Sequence, residues 1–267
     1  MKKIHELADL SGRVSVITGG AGNIGSAMCD ALAEFGSDIV IIDMNQKACD
    51  EQVSRIKKEY SINVSSLCID LTEEETLKSV PLRVVERMDT LDILINCAAL
   101  VGTTPLKGWV TPFSEQRSDT WRSALEINLT VPFILTQACA YELKKSGNGS
   151  VINLGSLYGI LGPDLRLYSN TTMGNPAAYA ASKGGLIQLS RWLATVLAPE
   201  VRVNTISPGG IFRNQPESFV DAFTSRTPLK RMGTEEDLKG ATLYLASDMS
   251  KYVTGQNLIV DGGWTIW

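Results

Sequence analysis

Short apolar runs rich in valine and isoleucine alternate along this chain with longer stretches that are apolar at every third or fourth position. The runs fall at 14–18, 39–43, 64–70, 91–96, 151–154, 201–206 and 258–260. The amphipathic stretches lie at 24–35, 47–60, 73–87, 119–145, 177–197 and 235–246. Strands that are apolar without alternation are buried on both faces, and strand–helix alternation gives a parallel sheet between two helix layers. The pattern predicts an α/β fold: one Rossmann-type, doubly wound parallel sheet of about seven strands in a single domain over 1–267. A chain of 267 residues, 44% of them hydrophobic, can bury the core such a sheet needs.

Several function classes recede at once. The net charge of −4 gives no reason to expect nucleic acid or an anionic membrane as partner. No apolar stretch is long enough to span a bilayer. The first nine residues carry Glu6 and Asp9 where a secretion signal needs an apolar core, so a cytoplasmic location is expected. The five cysteines (Cys29, Cys49, Cys68, Cys97 and Cys139) form no Cys-x-x-Cys pair, and His5 is the only histidine. Neither a disulfide scaffold, a histidine triad nor a bound metal is expected.

The first apolar run ends in Thr18-Gly19-Gly20-Ala21-Gly22-Asn23-Ile24-Gly25, and a helix should follow. Small residues let the backbone approach a pyrophosphate, and free N–H groups at a helix start favour its charge. A glycine cluster alone also makes tight turns without ligands; the strand–turn–helix setting is what raises the cofactor reading. Asp43 ends the second run, eighteen residues beyond Gly25. A carboxylate there accepts hydrogen bonds from the ribose hydroxyls of an adenosine and repels a 2′-phosphate. Met44-Asn45-Gln46 offers no arginine to attract one, so NAD is expected rather than NADP. Asp70 either caps the following helix or bonds the adenine edge; the sequence does not separate these roles.

Tyr179 and Lys183 stand four apart behind Asn175-Pro176. Asparagine caps helices and proline suits their first position, so a helix is expected to start here with phenol and ammonium on one face. A neighbouring cation would lower the phenol pKa toward working pH and fit it for proton transfer. Taken alone, the ordinary reading of that spacing is a buried ring beside a solvated amine.

Further motifs, in order, resemble those of the short-chain dehydrogenase/reductase family, in its short single-domain branch. Asn96-Cys97-Ala98-Ala99 resembles the family's Asn-Asn-Ala-Gly, and Asn128 in Ile127-Asn128-Leu129-Thr130 matches the asparagine of its proton-relay water. Ser156 matches the catalytic serine, and Tyr179 with Lys183 matches Tyr-x-x-x-Lys. Ser207-Pro208-Gly209-Gly210-Ile211 matches the turn passing the nicotinamide, and 252–263 the C-terminal strand region. The resemblance covers nearly the whole chain. It implies Asn128, Ser156, Tyr179 and Lys183 as catalytic residues. It further implies cofactor contacts from Gly19, Gly22, Asn23, Ile24, Gly25, Asp43, Asp70, Leu71, Asn96, Ala98, Pro208, Gly209 and Ile211, besides Tyr179 and Lys183. It also implies a homodimer or homotetramer, with the apolar ending Trp264-Thr265-Ile266-Trp267 packed either at a subunit contact or within its own chain.

The chain departs from the family pattern at four places. Asn23 stands where this branch carries glycine, a spelling commoner in the extended branch that works on nucleotide sugars. Ser156 and Tyr179 are 23 positions apart, longer than usual. The additional segment, at about 159–176, is read as a substrate-pocket wall with Asp164, Arg166, Tyr168 and Asn170 as polar contacts. Phe212-Arg213-Asn214 replaces the usual threonine after Pro-Gly, and Arg213 either reaches a phosphate or is solvated. The long loop 100–116 carries Trp109 and Phe113, which line the pocket or merely pack. The expected function is NAD-dependent hydride transfer on a secondary alcohol or ketone of a sugar-like or polyol molecule. The pattern also resembles bacterial short-chain enzymes tied to flagellin or surface-glycan sugars. Reduction of a 3-oxoacyl thioester, and a non-catalytic nucleotide-sensing role on the same fold, are the alternatives.

Overall fold

The seven apolar runs become seven parallel strands of one sheet in the computed structural model, which describes residues 1–267. The strands are β1 (Val14–Thr18), β2 (Asp38–Asp43), β3 (Val64–Cys68), β4 (Ile93–Asn96), β5 (Gly149–Leu154), β6 (Val201–Pro208) and β7 (Asn257–Val260). Their order across the sheet is β3-β2-β1-β4-β5-β6-β7. The connections therefore run one way from β1 to β3 and the other way from β4 to β7. The reversal between β1 and β4 leaves a crevice at the carboxyl ends of the strands, where doubly wound sheets bind ligands.

Nine α-helices flank the sheet: α1 (Ile4–Ala8), α2 (Asn23–Ala33), α3 (Gln46–Glu59), α4 (Glu74–Met88), α5 (Ser118–Leu125), α6 (Val131–Lys145), α7 (Ala177–Leu197), α8 (Glu217–Arg226) and α9 (Lys239–Ala246). Successive strand residues point to opposite faces, and the core divides accordingly. Val16, Val40 and Leu94 pack with Leu77, Leu135 and Leu193 from α4, α6 and α7. Ile17, Ile41 and Ile95 pack with Met28, Ile56 and Leu245 from α2, α3 and α9.

Two expected elements differ. The stretch 119–145 is not one helix: a wide, π-helical turn over Glu126–Thr130 separates α5 from α6. Pro132, with no N–H, cannot return an α-type bond to the Asn128 carbonyl, and Val131 N–H instead reaches back to Glu126. Helix α7 begins at Ala177 with extended Pro176 as its cap residue, so Asn175 caps nothing.

Candidate active site

Strands β1, β2, β4, β5 and β6 all end at one cavity of about 1030 Å³, lined by the residues that close or follow each of them. At one end lies the glycine turn. A Cβ on Gly25 would overlap the Gly19 carbonyl, so only glycine lets α2 start this close to β1. The first bond within α2 is Ser26 N–H to Gly22 O at 2.8 Å. The amides of Asn23, Ile24 and Gly25 thus stand at the cavity wall with no helical acceptor, a set of donors suited to an anionic pyrophosphate. Asn23 is the first residue of α2 and needs no left-handed backbone, so asparagine serves there without strain. Asp43 lines the same end, half-buried, accepting only Asn45 N–H at 3.2 Å.

Asp70 and Leu71 also line this end. The Asp70 carboxylate accepts the backbone N–H and the hydroxyl of Thr72, both at 2.8 Å, which hold its pKa below the usual carboxylate range. It therefore closes a turn; Glu73 is the residue at the start of α4. Ala98, Pro208, Gly209 and Ile211 lie on the wall as expected. Asn96 does not. It is buried behind the wall, where its Nδ2 donates to Asn153 Oδ1 at 2.7 Å and ties β4 to β5. Its part is to brace the sheet below the cavity.

At the other end Ser156, Tyr179 and Lys183 come together. Ser156 follows β5 and accepts Tyr158 N–H at 3.1 Å, which fixes its hydroxyl at the start of a short 3-10 turn, Leu157–Gly159. Gly159 lets that turn press against α7: a Cβ there would stand 2.8 Å from the Lys183 backbone. Lys183 is buried, donates to the Leu154 carbonyl at 2.7 Å, and is lowered by burial to about 8. Its ammonium stands over the Tyr179 ring, 5.9 Å from the centroid.

The Tyr179 phenol is raised above its ordinary value, with burial the chief cause. This corrects the expectation that Lys183 tunes it downward. The neighbours that pull it down are the Ser156 hydroxyl and the charge of Arg213. Lys183 is turned to Leu154, and its own charge is disfavoured by the same burial. Arg213 is thereby placed: it lines the cavity and is bonded to Glu235 at 3.0 Å.

Asn128 is fully buried and does not reach the cavity. Its Oδ1 accepts Leu100 N–H at 2.8 Å, and its Nδ2 donates to Leu100 O and to Ser182 Oγ, each at 3.0 Å. The side chain clamps the Leu100 backbone to α7, three residues past Tyr179.

Of the four polar contacts expected from the inserted segment, only Tyr168 lines the cavity. Asp164 caps the turn Leu165–Tyr168, and its carboxylate is held by Arg166 and Arg226. Arg166 points to solvent, and Asn170 is exposed with a left-handed backbone, φ 61°. Leu167, Phe219, Phe223, Met232 and Trp264 form a small core behind this wall, with Trp264 stacked on Phe223 at 4.3 Å. Trp264 thus packs within its own chain, while Ile266 and Trp267 are exposed. Trp109 is buried with its indole N–H on Val101 O, and Phe113 is exposed away from the main cavity. The sequence reading missed α8, which brings Phe219 and Phe223 to the wall; their spacing of four behind Pro216 was the available signal. It also missed Tyr158, whose hydroxyl bonds that of Tyr168 at 2.6 Å, and Cys97, a buried thiol at the cavity wall.

Residues 19–265 match the family described as Enoyl-(Acyl carrier protein) reductase. Among curated relatives, the post-translational flagellin modification protein A of Campylobacter coli is 30% identical over 96% of this chain and 99% of its own length. The 2,5-dichloro-2,5-cyclohexadiene-1,4-diol dehydrogenase of Sphingobium indicum is 33% identical over 96% of this chain and 98% of its own. Among solved structures, an NADPH-dependent 3-quinuclidinone reductase from Rhodotorula rubra superposes with a TM-score of 0.87 at 29% identity, covering 100% of this chain and 96% of that one. A short chain dehydrogenase from Leptospira borgpetersenii with bound NAD+ gives 0.82 at 32% identity, covering 99% and 96%.

Proposed function

The chain belongs to the short-chain dehydrogenase/reductase family, and from that premise we propose that it is an NAD-dependent oxidoreductase of a secondary alcohol or ketone in a polyol-like small molecule. One observation carries the reading: a serine hydroxyl, a tyrosine phenol and a buried lysine share one end of a cavity whose other end is a glycine cradle beside an aspartate. Bound there, a nicotinamide dinucleotide supplies the two-electron acceptor or donor. The amides of 23–25 would hold its pyrophosphate, Asp43 its adenosine ribose, and Lys183 its nicotinamide ribose. Because related structures use both forms of the cofactor, the choice of NAD rests on the Asp43 carboxylate and the absence of an arginine behind it.

In oxidation Tyr179 Oη takes the proton of the substrate hydroxyl, and in reduction it returns that proton to the carbonyl oxygen. The Ser156 hydroxyl donates to the same oxygen and holds it toward the phenol. Both heads of the Asn128 amide are committed. Its part in proton release therefore falls to its backbone carbonyl, which Pro132 has no N–H to meet. A panel of polyols, sugars, keto acids and acyl thioesters, followed by NADH absorbance with both cofactors, tests the reading. Turnover of an alcohol or ketone with NAD is expected. Binding of NAD without turnover of any of them would favour a nucleotide-sensing role, and tight NADP binding would overturn the cofactor choice.

We also propose a homodimer or homotetramer, since Trp192 and Val196 of α7 and the terminal Ile266 and Trp267 present apolar surface. A monomeric mass in solution would refute it.

A further inference from the structure

We infer that the substrate carries a second, neutral oxygen near its reacting carbinol, held by Asn175 and by the Tyr158–Tyr168 phenol pair, and is a compact diol or hydroxyketone with an apolar flank. This rests on the hydride-transfer reading above.

Asn175 stands four residues before Tyr179 and lines the same cavity. Both heads of its amide, Oδ1 and Nδ2, are buried without a hydrogen-bond partner. Buried amides are almost always paired, and this one, on a residue of the cavity wall, has no partner within the chain. The helix it precedes does not use it, since Pro176 is the cap residue.

The phenols supply the complementary group. Tyr158 and Tyr168 are bonded oxygen to oxygen at 2.6 Å, and burial raises both, so both remain protonated. Two hydroxyl protons with one spent inside the pair leave one to donate outward. The pair lines the same cavity as the reacting Tyr179 phenol. The combined set is a donor and an acceptor from Asn175 and a donor from the pair, all neutral. A hydroxyl or carbonyl matches it. A carboxylate would want a free cation, and both cations at this end are engaged, Arg213 with Glu235 and Lys183 with the Leu154 carbonyl. Leu157, Met173, Phe219, Phe223 and Met232 give the same cavity an apolar face. A larger sugar would press unpaired hydroxyls against it.

The test compares cyclohexane-1,2-diol with cyclohexanol in oxidation, and 2-hydroxycyclohexanone with cyclohexanone in reduction, each as kcat/KM by NADH absorbance. The unmodified protein should favour the two-oxygen probe roughly tenfold or more, as sites built to hydrogen-bond a substrate group do. Asn175→Leu and Tyr168→Phe should each move that ratio toward one. A variant that merely folds poorly lowers both rates and leaves the ratio, so the ratio isolates recognition. Equal kcat/KM for the paired probes, or a ratio that both variants preserve, overturns the inference and leaves the hydride-transfer reading standing. Turnover of neither pair overturns it as well, and the wider substrate panel then decides whether the parent reading falls with it.

Discussion

The two ends of the cavity are built by different means. The dinucleotide end is made of strand termini and one helix start: Gly19 to Gly25, Asp43 and Ala98 are carried by adjacent parallel strands whose cores are fully buried. The substrate end is made of 3-10 turns, a ten-residue helix and a C-terminal turn, held by a separate aromatic cluster. The first end inherits its geometry from the sheet. The second is an attachment with its own small core, so its shape can change while the sheet stays as it is.

That contrast can be broken or sharpened by substitution. The largest effect is expected at the junction: Tyr179→Phe should cut kcat by about 10²–10⁴-fold, the range for a lost general acid–base group, while NAD titration stays intact. Weakened NAD binding would show that the two ends are not separable there. Next, Trp264→Ala removes the stacked partner of Phe223. It should cost about 3–5 kcal/mol locally, raising KM for the substrate far more than the Kd for NAD. Equal damage to both would mean that the aromatic cluster supports the sheet as well. Asp43→Ala should weaken NAD and relax its preference over NADP by about 10–100-fold, the equivalent of about 1.5–3 kcal/mol for charge-assisted bonds. A change in substrate KM instead would contradict the division. The smallest effect is electrostatic. Arg213 pulls the Tyr179 phenol down, so removing its charge must raise that pKa. The alkaline rise in alcohol oxidation, read from a pH–rate profile, should move to higher pH by a fraction of a unit in Arg213→Gln.

The same division explains what could be read from the sequence. Strands, helices and the glycine turn follow from periodicity and local backbone chemistry, and all seven strands were legible within a few residues. The wall positions Gly19, Asp43 and Tyr179 follow because they sit at strand ends or on a helix face, and Ser156 follows from the family resemblance. The substrate end does not follow from local rules. Asp164 and Arg166 looked like ligands because they are polar, yet they satisfy each other and Arg226. Asn175 looked like a cap, and its amide is instead buried without a partner. Such roles are set by which chains meet in space. The direction of the Tyr179 shift was likewise hidden, because spacing reports the nearby cation but not the burial that outweighs it.

Lys183 lies buried at the cavity wall, against the Leu154 carbonyl. A lysine on the surface keeps its proton at any acidity a cell meets, and so is inert as a store. Desolvation brings this one to about 8, where loading and unloading are both within reach. If Tyr179 exchanges protons as proposed, a second group able to gain or lose one stands a single helical turn away.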